Sequence, residues 1–325
     1  MPKVYLLLIM LLFSLHFSVA GSEHVTIGGI TFKNIEPDPD PSPTGDFKTL
    51  VIPIKRAGNL IVIEAQIDTL EGNFVLDTGA PYLVLNETYF RDMPHAAEQE
   101  SAGINGAAGS SFTTYVRNLN ILDLHYAKLR ADVTDLSSIE NGRGIKILGL
   151  LGTRLFADFA VTVDLFRNTL YIQKLDENGN IPEAEKVFHD RFMVSPFRLL
   201  NDVILMKGTV NDNSLWFAFD SAAETSLLDY RRSKKLIPDM EVISRSKIMG
   251  IGGTSIEVIY TRFDNLVVGD RKYMKNRILI TNLEKMGNAY GYKIDGVLGY
   301  DFFVRGIFTI NFVKKEFEMY IYNNQ

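Results

Sequence analysis

Short apolar runs separated by turn-forming residues dominate the chain after residue 49. The runs are four to seven residues long and rich in Val, Ile, Leu, Phe and Tyr, and clusters of Gly, Asn and Asp separate them. Runs of this length and composition are typical of β-strands. The pattern predicts an all-β chain with strands at 60–67, 74–76 and 82–85, a turn at 68–73, and short helices at 86–97 and 132–140.

One of the predicted strands ends in a carboxylate. Asp77 directly follows the apolar segment 74–76 and precedes Thr78, Gly79 and Ala80. Because an isolated buried carboxylate is unfavourable, an Asp in this position is either satisfied by hydrogen bonds in a plain turn or held there for chemistry. The motif by itself leaves both interpretations open.

An internal repeat decides how the motif is interpreted. Asp220, Ser221, Ala222 and Ala223 follow the apolar segment 217–219 at an offset of 143 residues from the first motif. At an offset of 147, the stretches 103–106 and 149–152 match the stretches 250–253 and 296–299. Three matches in the same order, with one four-residue insertion, predict two homologous lobes at 46–178 and 187–325, joined by a linker at 179–186.

A duplicated lobe with one Asp at the same place in each copy predicts a pair related by a pseudo-twofold axis. Two carboxylates ~3 Å apart cannot both ionise, so the pair shares a proton. One then acts as a base that takes a proton from a water, and the other as an acid that protonates a substrate carbonyl. This arrangement hydrolyses a peptide bond without a covalent intermediate. Asp77 and Asp220 are therefore the candidate catalytic residues.

The residues after each Asp fit such a role. The hydroxyls of Thr78 and Ser221 are placed to hydrogen-bond across the interface between the lobes, although ordinary turn hydroxyls that bond their own backbone are the alternative. Gly79 allows close approach of the backbone and turns its N–H towards the carboxylate.

Each predicted lobe also carries a glycine-rich stretch. A phosphate-binding loop is disfavoured because no Lys precedes the hydroxyls of the first stretch and because strand patterns flank it. We expect a hairpin tip in each lobe that closes over the cleft and binds substrate, with a rigid surface turn as the alternative. The predicted flap residues are Gly103, Ile104, Gly106, Gly250, Ile251, Gly252 and Gly253.

These motifs resemble those of the pepsin-like and retropepsin aspartic proteases. The resemblance rests on Asp77-Thr78-Gly79-Ala80, on the stretch 249–253, and on an apolar-apolar-Gly element in each lobe, at 150–152 and 297–299. More narrowly, the chain resembles exported bacterial members in which two retropepsin-like lobes are fused. The resemblance covers nearly everything from residue 46 to the C-terminus.

The resemblance implies a bilobal acid-protease fold, with two homologous β-barrel-like lobes and a cleft between them. A peptide or unfolded protein would bind in the cleft as substrate, and Asp77 and Asp220 would form the dyad. It implies no metal or organic cofactor. A fused pair needs no second chain to complete its site, so we expect a monomer.

The second lobe departs from the family's Asp-Thr-Gly pattern. Ser221 keeps the hydroxyl, whereas Ala222 adds a Cβ where the backbone turns tightly. If φ is positive there, the Cβ costs about 1 kcal/mol or slightly more, and otherwise almost nothing. The departure bears on catalytic efficiency more than on fold.

Composition narrows the class of protein. The formal net charge of −5, without a long basic run, argues against nucleic acid as a partner. The chain has no cysteine, which excludes disulfides and thiol chemistry, and its five scattered histidines contain no His-x-x-x-His pair. We therefore predict no metal site.

The first twenty residues have the pattern of a secretory signal peptide. Lys3 precedes an apolar run at 4–13, and cleavage is predicted near Ala20. An uncleaved membrane anchor is the alternative, but Ser14 and His16 interrupt the run before the ~20 residues that a spanning helix needs. We expect an exported protein, periplasmic or extracellular and in a bacterial context, with no membrane association after cleavage. A short strand and a Pro-rich linker should follow, at 21–45.

Three functions stay open from the sequence. An exported aspartic endopeptidase leads. A catalytically weak or inactive protease-like module that binds extended peptides is favoured by Ala222. An exported β-sandwich with a structural or carbohydrate-binding role would require Asp77 and Asp220 to lie far apart.

Overall fold

The computed structural model describes residues 24–27, 30–33, 41–103, 106–237, 240–249, 255–289 and 293–321. The predicted signal peptide at 1–20 lies outside the described residues, as does much of the predicted segment at 21–45. Within the described ranges, no helix is both long and apolar enough to cross a membrane.

Over the residues that the structure describes, the first half of the chain is built from strands, two short α-helices and a 3-10 helix at Thr153–Phe156. The elements are β1 (His24–Ile27), β2 (Ile30–Lys33), β3 (Thr49–Pro53), β4 (Lys55–Ala57), β5 (Leu60–Ile67), β6 (Leu70–Leu76), β7 (Leu83–Asn86), α1 (Glu87–Phe90), β8 (Ala97–Gly103), β9 (Gly106–Ile121), β10 (Leu124–Thr134), α2 (Ser137–Asn141), β11 (Gly149–Leu151), β12 (Phe159–Asp164) and β13 (Thr169–Lys174).

The second half follows a 3-10 turn at Glu183–Glu185 and is built in the same way. Its elements are β14 (Arg191–Leu200), β15 (Val203–Val210), β16 (Asn213–Phe219), β17 (Leu227–Asp229), α3 (Tyr230–Leu236), β18 (Glu241–Met249), β19 (Ser255–Phe263), β20 (Leu266–Val268), β21 (Arg271–Tyr273), β22 (Asn276–Thr281), α4 (Glu284–Ala289), β23 (Gly296–Leu298), α5 (Tyr300–Phe303), β24 (Ile307–Asn311) and β25 (Glu316–Tyr320).

The predicted strands are present, with changed boundaries. The strand at 60–67 is β5, and the turn after it is shorter than predicted because Ile67 already pairs with Leu70. Asp68 adopts a positive φ of 52° in this turn, a conformation that Asp tolerates.

The two predicted helices are shorter than the sequence pattern suggests. The helix predicted at 86–97 is only α1, which Asn86 caps by accepting from the Thr88 amide and which ends before Pro94. The helix predicted at 132–140 begins later, as α2, because its first residues extend β10 and pair with β7.

Among the described residues, the first sheet has eight strands in the order β4-β5-β6-β11-β7-β10-β9-β8. Because β5 also pairs with β9, the six strands from β5 to β9 close into a barrel. In both halves, a three-residue strand is inserted between two neighbours, parallel to one and antiparallel to the other. β11 lies between β6 and β7 in this way, and β23 lies between β16 and β17.

The second sheet joins the two halves of the chain. In the part of the chain that the structure describes, fifteen strands form it. Its main path is β18-β19-β22-β17-β23-β16-β15-β14-β25-β24-β12-β13-β3, with β20 and β21 off this path. β12 pairs antiparallel with β24, with Thr162 opposite Thr309. β3, β12 and β13 therefore come from the predicted first lobe but continue the sheet of the second. The two halves share one hydrogen-bonded layer.

Aromatic packing fills the core beneath this shared layer. The Phe219 ring lies 5.6 Å from the Phe303 ring, 5.7 Å from the Phe308 ring and 4.9 Å from the Phe317 ring, measured between centroids. All four side chains are fully buried. Because Phe219 directly precedes Asp220, this cluster fixes the strand from which that carboxylate projects.

Candidate active site

Asp77 and Asp220 occupy the same place in two equivalent strand arrangements. β6 and β16 each end one residue before the Asp. The Asp77 amide donates to the Leu151 carbonyl at 3.0 Å, and the Asp220 amide donates to the Leu298 carbonyl at 3.0 Å. Each carboxylate therefore leaves the sheet where the inserted strand ends, and each is only 1 % exposed.

The glycine of each apolar-apolar-Gly element allows this close packing. A Cβ on Gly152 would lie 2.3 Å from the Tyr82 carbonyl oxygen, and one on Gly299 would lie 2.8 Å from the Ala223 carbonyl oxygen. Real Cβ atoms do not approach oxygen so closely, so only glycine lets the inserted strand pass behind the active-site loop.

Backbone amides hold one oxygen of each carboxylate. Gly79 donates to Asp77 Oδ1 at 2.8 Å, as the sequence predicts. Ala222 and Ala223 both donate to Asp220 Oδ1, at 2.8 and 3.1 Å. The second oxygen of Asp77, Oδ2, is buried and accepts from no amide or hydroxyl among the described residues.

Thr78 and Ser221 cross-link the two loops. The Ser221 amide donates to Thr78 Oγ1 at 2.9 Å, and the Thr78 amide donates to Ser221 Oγ at 3.0 Å. Each hydroxyl also donates across the interface, Thr78 to the Phe219 carbonyl at 3.0 Å and Ser221 to the Leu76 carbonyl at 2.7 Å. The structure thus has the predicted bonds between the loops and not the alternative of two separate turn hydroxyls.

Burial and the interaction between the two carboxyl groups set the protonation of the pair. Burial raises the pKa of Asp77 well above its ordinary value, and the Asp220 carboxylate raises it further, while the amides of Gly79 and Ala80 lower it by less. Burial also raises the pKa of Asp220, to about 6, against the lowering effect of its two amide donors. The two groups titrate as a pair in which Asp77 keeps the shared proton longer.

Thr78 and Ser221 directly follow the two Asp residues, and the bonds between them bring the two carboxyl groups close together. The wide separation that a β-sandwich function requires is therefore not what the structure has. Among the described residues, no group of three or more His, Cys, Asp or Glu side chains is arranged to hold a metal ion.

Ala222 fits its position without backbone strain. It is not among the residues with positive φ, so the conformational cost considered from the sequence does not arise. Its side chain is 1 % exposed and packs into an apolar cluster whose other members, including Ala80, Leu136 and Ile139, all come from the first half of the chain. Ala223 packs instead into an apolar cluster of the second half.

The predicted flaps lie largely outside the described residues. Gly103 and Gly106 pair with each other at the end of the β8–β9 hairpin. Ile104 and the predicted flap residues of the second lobe, at 250–253, are not described.

Sequence analysis missed three charged side chains that hold the segment after Asp220. Glu224 pairs with Arg143 of the first half, and Asp301 accepts from the Ser226 amide at 2.9 Å and from the Thr225 hydroxyl at 3.2 Å. Burial raises the pKa of Asp301. The only sequence signal for Glu224 was its place next to Ala223. Arg143 and Asp301 lie too far along the chain from the segment after Asp220 for the sequence alone to pair them with it.

Comparison with known proteins gives a family match for part of the chain. A protein-family model described as aspartyl protease matches residues 206–302, a range that contains Asp220 and Gly299. Over that range, which is less than a third of the chain, the chain is similar to aspartyl proteases. A search of curated proteins found no match for this chain. Among solved structures, it is similar to basic 7S globulin from soybean, at 9 % sequence identity and a TM-score of 0.47, over 84 % of this chain and 95 % of the globulin.

Proposed function

We propose that this aspartic-protease-like protein is an exported endopeptidase that hydrolyses peptide bonds with a water activated between Asp77 and Asp220. The observation that carries the proposal is the pair itself. Two buried carboxyl groups project from equivalent strand ends, and hydroxyls on both sides lock their loops together. Asp220 raises the pKa of Asp77, whereas a hydrogen bond from Asp77 lowers the pKa of Asp220.

The pKa order assigns a role to each acid. Asp77 carries the proton and is the general acid, because the Asp220 charge adds to the effect of burial on it. Asp220 is the general base, because its two amide donors and a hydrogen bond from Asp77 all favour its ionised form. Asp77 Oδ2, which no amide or hydroxyl of the described residues holds, is the oxygen suited to face substrate and water.

The proposed reaction needs only these two groups. The water oxygen bonds to the carbonyl carbon, Asp220 takes a water proton, and Asp77 gives its proton to the carbonyl oxygen. The resulting diol then loses a hydroxyl proton to the ionised Asp77 while the peptide nitrogen takes the proton from Asp220, and the C–N bond breaks. Both acids return to their starting states.

The substrate is proposed to be an extended peptide or unfolded protein, bound between the two halves by a monomeric chain. Export is proposed from the signal-peptide pattern at 1–20, and duplication of one ancestral lobe from the repeated motifs. The recurring placement of β11 and β23 supports the duplication.

Incubation with a denatured protein from pH 3 to pH 9 tests the proposal. We expect cleavage that a statine-type transition-state mimic blocks and that Asp77→Asn or Asp220→Asn abolishes. Asp229→Asn is the matched control, because Asp229 is an equally buried aspartate at the end of β17 outside the dyad. Wild-type protein that cleaves nothing at any pH would overturn the proposal.

A peptide-binding module without activity is the second candidate, and Ala222 in place of glycine is the feature that favours it. The unstrained φ of Ala222 weakens that argument. Under this function, labelled unfolded peptide would bind to wild-type protein and remain intact after long incubation.

A further inference from the structure

Arg143 connects the first half of the chain to the segment that follows Asp220. Its guanidinium pairs with the Glu224 carboxylate. It also donates through Nε to the Ala57 carbonyl at 3.2 Å and through Nη1 to the Ile139 carbonyl at 3.3 Å. The planar guanidinium thus binds three acceptors at once, which fixes its direction.

Both charged side chains of this pair are largely buried. The Arg143 side chain is 5 % exposed and the Glu224 side chain is 16 % exposed. A buried ion pair adds little net stability, because desolvation offsets the attraction, but removal of one partner leaves an uncompensated charge. The pair is therefore better explained by the geometry that it fixes than by the stability that it adds.

Glu224 lies one residue beyond the amides that hold Asp220. Ala222 and Ala223 donate to Asp220 Oδ1, and the Ala222 methyl packs into the apolar cluster of the first half. The segment 222–224 is thus attached to the first half at two points, one apolar and one ionic. These attachments fix where the Asp220 loop lies relative to Asp77.

We propose that Arg143 and Glu224 are positioning residues for the dyad, which hold the Asp220 loop at the distance from Asp77 that lets the two carboxyl groups share one proton. The catalytic consequence rests on the proposed function, but the effect on proton sharing does not. Asp220 is the charged group that acts on Asp77, and Arg143 and Glu224 are the charged groups at the far end of the Asp220 loop.

The experiment uses full-length protein and the variants Glu224→Gln, Arg143→Met, the double variant and the conservative Arg143→Lys. Arg191→Met is the matched control, because Arg191 pairs with the largely buried Glu318 between β14 and β25 of the shared sheet. Circular dichroism checks folding. Carbon NMR of protein labelled at the aspartate carboxyl carbons follows the titration of the dyad, and steady-state kinetics give kcat and KM across pH.

We expect the two apparent pKa values of the dyad to move closer together in Glu224→Gln and Arg143→Met, because the coupling weakens as the loops separate. We expect kcat to fall at least tenfold with KM changed less than threefold, since small displacements of a catalytic group are costly. The double variant should be no worse than either single one. Arg143→Lys should lie between Arg143→Met and wild type, and Arg191→Met should match wild type.

If Glu224→Gln and Arg143→Met fold and the apparent pKa values of their dyads equal those of wild type, the positioning role is overturned. If Glu224→Gln does not fold, unchanged apparent pKa values of the dyad in both Arg143→Lys and Arg143→Met also overturn the positioning role. Absence of cleavage by wild-type protein would refute the peptidase alone, because the titration needs no activity.

Discussion

The buried dyad should make the protein less stable as pH rises, and this can be measured without any substrate. A carboxyl group whose pKa is higher in the folded than in the unfolded chain binds more protons when folded between the two values, so stability falls as pH rises through that window. Both dyad carboxyl groups have raised pKa values. Replacement of both by amides, in Asp77→Asn/Asp220→Asn, removes this dependence while it keeps size and shape.

The magnitude follows from Asp220. Its pKa rises from 3.8 to about 6. At about 1.4 kcal/mol per pH unit, the free energy of unfolding falls by about 2 to 3 kcal/mol between pH 4 and pH 8 relative to the double variant. Asp77, whose pKa is also raised well above its ordinary value, adds to the loss.

Urea unfolding at each pH measures this difference, with fluorescence of Trp216, the only tryptophan, as one probe and circular dichroism as the other. Asp229→Asn is a control of opposite sign. Burial alone would raise the pKa of Asp229, but hydrogen bonds from Arg231 and the Leu283 amide lower it overall. Stability relative to Asp229→Asn should therefore fall as pH decreases. Parallel curves for wild type and the double variant from pH 4 to pH 8 would refute the buried, coupled pair.

Three further predictions concern the loops and the pH profile. Thr78→Val and Ser221→Ala should each destabilise the fold by about 2 kcal/mol in urea unfolding, because each leaves buried backbone groups of the opposite loop without a hydrogen-bond partner. The two effects should combine non-additively, and additive effects would contradict the cross-link. Gly152→Ala should lower the free energy of unfolding by about 3 kcal/mol or more, because the added Cβ would collide with backbone oxygens. Ala222→Gly should lower it by about 1–2 kcal/mol, because a buried methyl group is removed, and should gain no activity in the cleavage assay. Cleavage, measured as kcat/KM against pH, should rise as Asp220 ionises through about pH 6 and fall at higher pH as the second acid loses its proton; a single optimum near pH 3 would contradict this order.

The sequence alone determined the β class, the position of β5, the two Asp residues and the apolar-apolar-Gly elements behind them. These depend on local patterns, since strand alternation and turn residues act over a few positions. The repeat added long-range information, because equivalent residues in two similar lobes meet when the lobes pack symmetrically. That is why the Thr78 and Ser221 cross-link was predictable from single residues.

Other features were decided only by the tertiary structure. The pairing of β12 with β24, the burial of Ala222 in the cluster of the opposite half, and the Arg143–Glu224 pair all join residues distant in the chain. The order of protonation also depended on the fold, because burial of both carboxyl groups and the effect of Asp220 on Asp77 set it. Such properties arise from the environment that the packed chain creates, and no local pattern of residue types encodes them.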